Sequence, residues 1–185
     1  MELKSRIVLV GTSSTGKSTV AELLKRYLNN YNFIAESTRT VRSYGFPINE
    51  EGTSITQLAI SNFHLEALLS NSDLVLDRGY LDLVVYSRLL DNIDPKVLNY
   101  IEETWQRVKK YYTGYVYFPI EFDSVDDGVR SVNEEWRRAV DKEFVKELKA
   151  SGIKYLTISG SPMQRVNQIL ERENFLRGLD LSKIV

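Results

Sequence analysis

The sequence predicts an α/β fold in three layers, a five-stranded parallel sheet with helices on both faces. Three observations carry this expectation. Apolar runs of strand length alternate with segments of helical periodicity along the 185 residues. The first run, Ile7-Val8-Leu9-Val10, has no polar interruption, as expected of a strand covered on both faces. A glycine-rich loop, Gly11-Thr-Ser-Ser-Thr-Gly16-Lys17-Ser18, then joins that run to a helical pattern.

In chain order, residues 5–10 form the first strand and 17–29 the first helix, with Val20, Leu23, Leu24 and Leu28 on one side. Residues 32–35 are a short second strand, with Glu36-Ser-Thr-Arg39 at its end. Residues 40–53, punctuated by Gly45, Pro47 and Gly52, read as a loop. A helix starts at Ser54, where Ser54-x-x-Gln57 has the form of a capping box, and runs to about Ser70. Its expected buried stripe is Ile55, Ala59, Phe63 and Ala67. Residues 73–76 are the third strand, followed by Asp77-Arg78-Gly79. Residues 80–91 read as helix, and Pro95 opens another that ends near Tyr112. Residues 115–118 are the fourth strand, and 121–131 an exposed polar loop. Asn133 caps a long helix to about Ala150, stopped by Gly152, with Trp136, Val140, Phe144 and Leu148 inward. Residues 154–158 are the fifth strand, and Ser161-Pro162 opens a last helix to about Asn174, after which the tail frays. No linker or repeat divides the chain, so 1–185 reads as one domain.

Composition narrows the function. A net charge of −1 supplies no global field for nucleic acid or membrane. The absence of cysteine excludes a thiolate nucleophile or thiolate metal site and fits a reducing, cytoplasmic setting. No apolar run is long enough for a membrane span, and the first strand follows Met1-Glu-Leu-Lys-Ser too closely for a signal peptide. His64 has no second histidine at metal-ligand spacing and reads as a core or surface residue rather than a ligand. The tyrosines default to core packing, with Tyr44 and Phe46 the expected exceptions.

The loop states a chemistry. GxxxxGKS between strand and helix is the phosphate-binding pattern. Gly11 and Gly16 permit backbone angles that turn successive N–H groups, those of Ser13, Ser14, Thr15, Lys17, Ser18 and Thr19, onto phosphate oxygens. The helix N-terminus adds its positive dipole end. Lys17 reaches the β- and γ-phosphates of ATP, and the Ser18 hydroxyl can ligate Mg²⁺.

In an open parallel sheet, ligands sit beyond the C-terminal strand edge. Glu36 and Asp77 fall there too. Asp77 ends an apolar strand, as a Mg²⁺-associated Asp does, and Arg78 beside it suits stabilisation of a transferring phosphoryl group. Glu36 can accept a hydroxyl proton or hold the acceptor, and Arg39, Arg42 and Tyr44 join it on the substrate side. Arg130 in Asp126-Asp-Gly-Val-Arg130, with Arg137 and Arg138, supplies cations for a small lid at about 121–138 that excludes water.

Together GTSSTGKST, Glu36-Ser-Thr-Arg39, Leu-Val-Leu-Asp77-Arg78-Gly-Tyr-Leu-Asp82 and Asp-Asp-Gly-Val-Arg130-Ser resemble the small AAA-type kinase-like family, over about residues 5–170. That family includes the ribosylnicotinamide kinase domain of bifunctional NAD-synthesis regulators. The resemblance implies the phosphate-loop fold of nucleoside and nucleotide kinases, with strand order 2-3-1-4-5. It further implies a nucleoside- or nucleotide-like acceptor. The Asp77-Arg78-Gly79 triplet is also similar to the ERS-type segment of deoxynucleoside kinases, with Asp for Glu and Gly for Ser, which leaves the acceptor open.

Other classes stay in view. A guanine-nucleotide switch needs an Asn-Lys pair, and the sequence has none. An ATPase module of a larger complex would place Glu, not Arg78, after Asp77. A polynucleotide or modified-base DNA kinase needs a phosphate-tracking groove, which the near-neutral charge disfavours. The small-molecule kinase is the leading expectation, with its oligomeric state open.

Overall fold

The sheet is built around β1 (Arg6–Val10), a strand whose last four residues are buried. The structure, a computed structural model, describes residues 4–123 and 133–176. β1 pairs in parallel with β3 (Leu74–Asp77) on one side and β4 (Gly114–Tyr117) on the other. β2 (Asn32–Ile34) and β5 (Tyr155–Thr157) add at the edges, giving the order 2-3-1-4-5. Side chains alternate across the pleat. Val8 and Val10 face one core, with α3 (Ser54–Leu69), α4 (Tyr80–Arg88), α5 (Pro95–Val108) and α6 (Glu134–Ala150) packed against that face. Ile7 and Leu9 face a second core closed by α1 (Lys17–Leu24), α7 (Pro162–Glu171) and α8 (Glu173–Leu176). This is the predicted three-layer phosphate-loop fold. Among the described residues no helix is long and apolar enough to cross a membrane.

Several local expectations are corrected. α1 ends at Leu24, because the next turn tightens: Arg26 and Tyr27 donate to the carbonyls three residues back. The segment expected as loop from residue 40 starts inside α2 (Ser37–Ser43), and a further 3₁₀ turn covers Asn49–Glu51. The N-cap of α3 is Thr53, whose Oγ1 accepts from the Thr56 amide, so Ser54 and Gln57 form no capping box. The last predicted helix is two, parted at Arg172.

The face of α3 is the main reversal. Ile55 is 65% exposed and Phe63 is 37% exposed, while Thr56, Gln57, Ile60, Ser61 and His64 are buried. A residue every four positions drifts around a 3.6-residue helix, so the apolar series was not one stripe. The inward face is mostly polar because it meets partners on α4: Ser61 shares a hydrogen bond with Tyr80, and Gln57 with Ser87.

Candidate functional site

The phosphate loop connects β1 to α1 at the C-terminal edge of the sheet. Gly11 is required there: its φ is 139°, and a Cβ would stand 2.5 Å from the Phe118 carbonyl oxygen. Gly16, at φ 86°, is the N-cap of α1 and contributes no side-chain cap, and the first turn carries no acid. That helix start keeps its amides for a ligand. Thr15 Oγ1 braces the loop by donating to the Thr12 carbonyl at 3.1 Å. Ser13 offers its carbonyl to Arg137, while Ser14 and Thr19 line a cleft beside Gly16.

Lys17 folds back over this loop. Its Nζ donates to the carbonyls of Gly11 at 2.8 Å and Thr12 at 2.6 Å, and to Thr15 Oγ1 at 3.2 Å. Burial, and then the positive charge of Arg78, bring its pKa down to about 7 against the pull of Asp77, Asp82 and Glu36. Any anion bound in the loop would raise it again.

Ser18, in the first turn of α1, faces Asp77 at the end of β3. Ser18 Oγ donates to Asp77 Oδ2 at 2.6 Å, while Asp77 Oδ1 is buried with no hydrogen-bond partner. Among the described residues no cluster of three acids, histidines or cysteines could hold a metal by itself. Two oxygen donors with one carboxylate oxygen unused suit Mg²⁺, which keeps most of its shell as water and phosphate oxygens.

Arg78 is the hub. Its φ of 77° lies in the left-handed region, a conformation costing a non-glycine residue about 1–3 kcal/mol. The backbone N–H is anchored on the Leu9 carbonyl at 3.1 Å. Nε donates to Glu36 Oε1 at 2.6 Å, and Nη1 donates to Asp82 Oδ1 at 3.2 Å and the Gly11 carbonyl at 3.3 Å. The guanidinium lies 5.2 Å from the Tyr86 ring centroid. Burial opposes its charge, but Glu36, Tyr86, Asp82 and Asp77 hold its pKa far above the ordinary value. Burial would likewise raise Glu36, yet Arg78 and then Lys17 keep it below the usual carboxylate range. Asp82 goes the other way: burial outweighs Arg78 and Lys17 and lifts it to about 6.

Glu36, Arg78 and Asp82 form one wall of a cleft whose other walls include Thr38, Gln57, His64 and Tyr86. Arg39 lies at the rim, its Nε 3.8 Å from Glu36 Oε2. Arg42 and Tyr44 do not line this cleft; both are exposed at the end of α2, and Phe46 packs on the core instead. Arg130 lies outside the described residues, as does most of the lid loop. Arg137 is fully buried, donates to the carbonyls of Ser13 and Phe122 and pairs with Glu134, while Arg138 is exposed.

Sequence reading missed Asp82, Gln57 and Arg165. Asp82 stands four residues from Arg78 on α4, a spacing that signals a pair. Gln57, read as half of a capping box, and His64, read as core or surface rather than ligand, belong to a polar series at helical spacing that is visible in the sequence. Arg165 joins segments far apart in the chain. It donates to the carbonyls of Thr15 at 2.6 Å and Gly160 at 2.9 Å, and pairs with Glu121 at 2.7 Å between Phe118 and Phe122. Phe122, Gly160 and Arg165 wall the cleft beside Ser14, Gly16 and Thr19.

A protein-family model described as an AAA domain matches residues 6–165. The chain belongs to this family. No curated protein matches the chain by sequence. Among solved structures it is similar to a NadR protein in complex with NR, with TM-score 0.77 and 18% identity over 96% of this chain and 53% of that one. The domain therefore spans about half the length of that neighbour. It is also similar to a deoxyadenosine kinase from M. mycoides, with TM-score 0.71 and 16% identity over 91% of this chain and 98% of the other. A thymidylate kinase from Candida albicans follows, with TM-score 0.65 and 16% identity over 96% and 94%. At these identities the likeness establishes the fold.

Proposed function

We propose that this AAA-type domain is a kinase that moves the γ-phosphoryl group of ATP to a hydroxyl of a nucleoside-like acceptor. One observation carries the reading: Arg78 joins the phosphate loop, through the Gly11 carbonyl, to Glu36 in the neighbouring cleft. A donor anion and an acceptor hydroxyl would meet at that guanidinium. The kinase names of the solved neighbours agree with it.

Residues 11–19 would hold the triphosphate by backbone N–H groups, with Lys17 moving from the loop carbonyls to phosphate oxygens. Mg²⁺, held through Ser18 and Asp77, would neutralise developing charge on the phosphate oxygens. Glu36 Oε1 is held by Arg78, leaving Oε2 to take the acceptor's proton as its oxygen attacks. The new bond is acceptor oxygen to γ-phosphorus. The bond from γ-phosphorus to the β-bridging oxygen breaks, and ADP leaves. Arg78, with Arg130 from the lid region, would stabilise the transferring group, and Arg39 would bind the acceptor. The cleft of Phe122, Gly160 and Arg165 would border the adenine.

The test is ATP titration by calorimetry with and without Mg²⁺, then ADP release with nucleosides, nucleoside monophosphates, nicotinamide riboside and DNA. Mg²⁺-dependent ATP binding with nucleoside-dependent ADP release is expected. Absence of ATP binding, or ADP release indifferent to every acceptor, would overturn the reading.

A further inference from the structure

α3 turns a polar face inward, and most of that face is tied down. Thr56 Oγ1 donates to the Pro47 carbonyl at 2.9 Å, Ser61 and the Tyr80 hydroxyl are 2.9 Å apart, and Gln57 Oε1 accepts from Ser87 Oγ at 3.2 Å. His64 is the exception. It is 5% exposed and borders the cleft of Glu36 and Arg78; no hydrogen bond joins its ring to another described residue, and its nitrogens are not among the fully buried unpaired atoms, so the ring keeps access to the cleft. Its ring neighbour is Tyr80, tilted at 6.4 Å. An imidazole that lines a cleft with no protein partner is available to hydrogen-bond a ligand bound there.

The charges in the cleft say which ligand. Both carboxylates, Glu36 and Asp82, are already paired with Arg78. The Tyr86 face that could stack on a cation is already under the Arg78 guanidinium. A buried cation would find no spare counter-charge here. A neutral imidazole offers one donor and one acceptor, the complement of a heterocycle edge that carries both.

We propose that His64 is a specificity-determining residue of the acceptor cleft, selecting a neutral, hydrogen-bonding nucleobase over a pyridinium cation. The inference rests on the reading that this cleft takes the kinase acceptor. Burial, and then Arg78, push the His64 pKa down to about 4, so the ring stays neutral at working pH.

The experiment measures ADP release by the full chain with adenosine, cytidine, thymidine and, as the cationic probe, nicotinamide riboside. It uses the wild type, His64→Leu and His64→Gln. The wild type should prefer at least one neutral nucleoside over the cation by about tenfold or more in kcat/KM. His64→Leu should raise the KM for that nucleoside about tenfold while kcat and the KM for ATP change little, and His64→Gln should recover part of the loss. A wild type that prefers nicotinamide riboside, or His64 variants with unchanged nucleoside KM, would overturn the inference and leave the kinase reading standing. A wild type that binds ATP but phosphorylates none of these acceptors would remove both. If His64→Leu does not fold, the His64→Gln comparison decides alone.

Discussion

Arg78 Nε meets Glu36 Oε1 at 2.6 Å, joining residues 42 apart in the chain at the tips of two adjacent strands. Neither side chain is more than slightly exposed, at 10% and 12%. The pair keeps Glu36 ionised and aimed, and it keeps Arg78 between the phosphate loop and the cleft. Under the proposed function, Glu36→Gln should lower kcat by about a hundredfold or more with the KM for ATP nearly unchanged. Arg78→Ala should lower kcat as strongly, and the double variant should be little worse than either single one, since the two act as a unit. Steady-state kinetics on the three variants checks this; additive losses would separate their roles.

Lys17 sits among three oxygen acceptors but has given up its hydration, which is why its pKa falls to about 7. Lys17→Met removes a costly buried ammonium together with its hydrogen bonds, so the two effects offset in the free protein. The melting temperature should therefore move by only about 3 °C. ATP affinity should drop about tenfold or more, the scale of one charge-assisted hydrogen bond. Calorimetry and a thermal melt on the same sample test both halves.

Arg88 ties three helices together away from the site. It donates to Glu102 on α5 at 2.6 and 2.8 Å, and to Glu143 at 3.0 Å and Glu147 at 2.7 Å on α6. Glu147 also accepts from the Trp105 indole at 2.8 Å. Arg88→Met would leave three carboxylates facing one another. With partial solvent access lessening the penalty, the loss should be about 2 kcal/mol at neutral pH. Urea unfolding of the wild type and the variant at neutral pH measures it.

His64 makes stability depend on acid. Its pKa is about 4 in the fold and 6.5 in an unfolded chain, so between those values the unfolded chain binds more protons. Stability is therefore lost as pH falls from about 6.5 to 4, by at most about 3 kcal/mol. His64→Leu should remove this part of the slope, so that acid narrows any stability advantage of the wild type or turns it in favour of the variant. Parallel losses in both proteins would show that His64 does not titrate as described.

The sequence by itself determined the layered fold, the position of the phosphate loop and the placing of Glu36, Asp77 and Arg78 at one sheet edge. Those features are local: an apolar run, two glycines whose backbone angles few residues tolerate, and charged residues that end strands. Even Asp82 was within reach, one helical turn from Arg78. Tertiary structure alone decided which face of α3 turned inward. Its apolar and polar residues both recur at helical spacing, and the choice depends on the partners Tyr80 and Ser87 that only the packed α4 supplies. The same holds for Arg165, which bonds to Thr15 across 150 residues of chain. It holds also for Arg42, in the last turn of α2, and Tyr44, just past it, which sit near Glu36 in sequence but are exposed and do not line the cleft. Short-range periodicity specifies an element; which neighbours satisfy its buried polar groups is settled only when the elements pack.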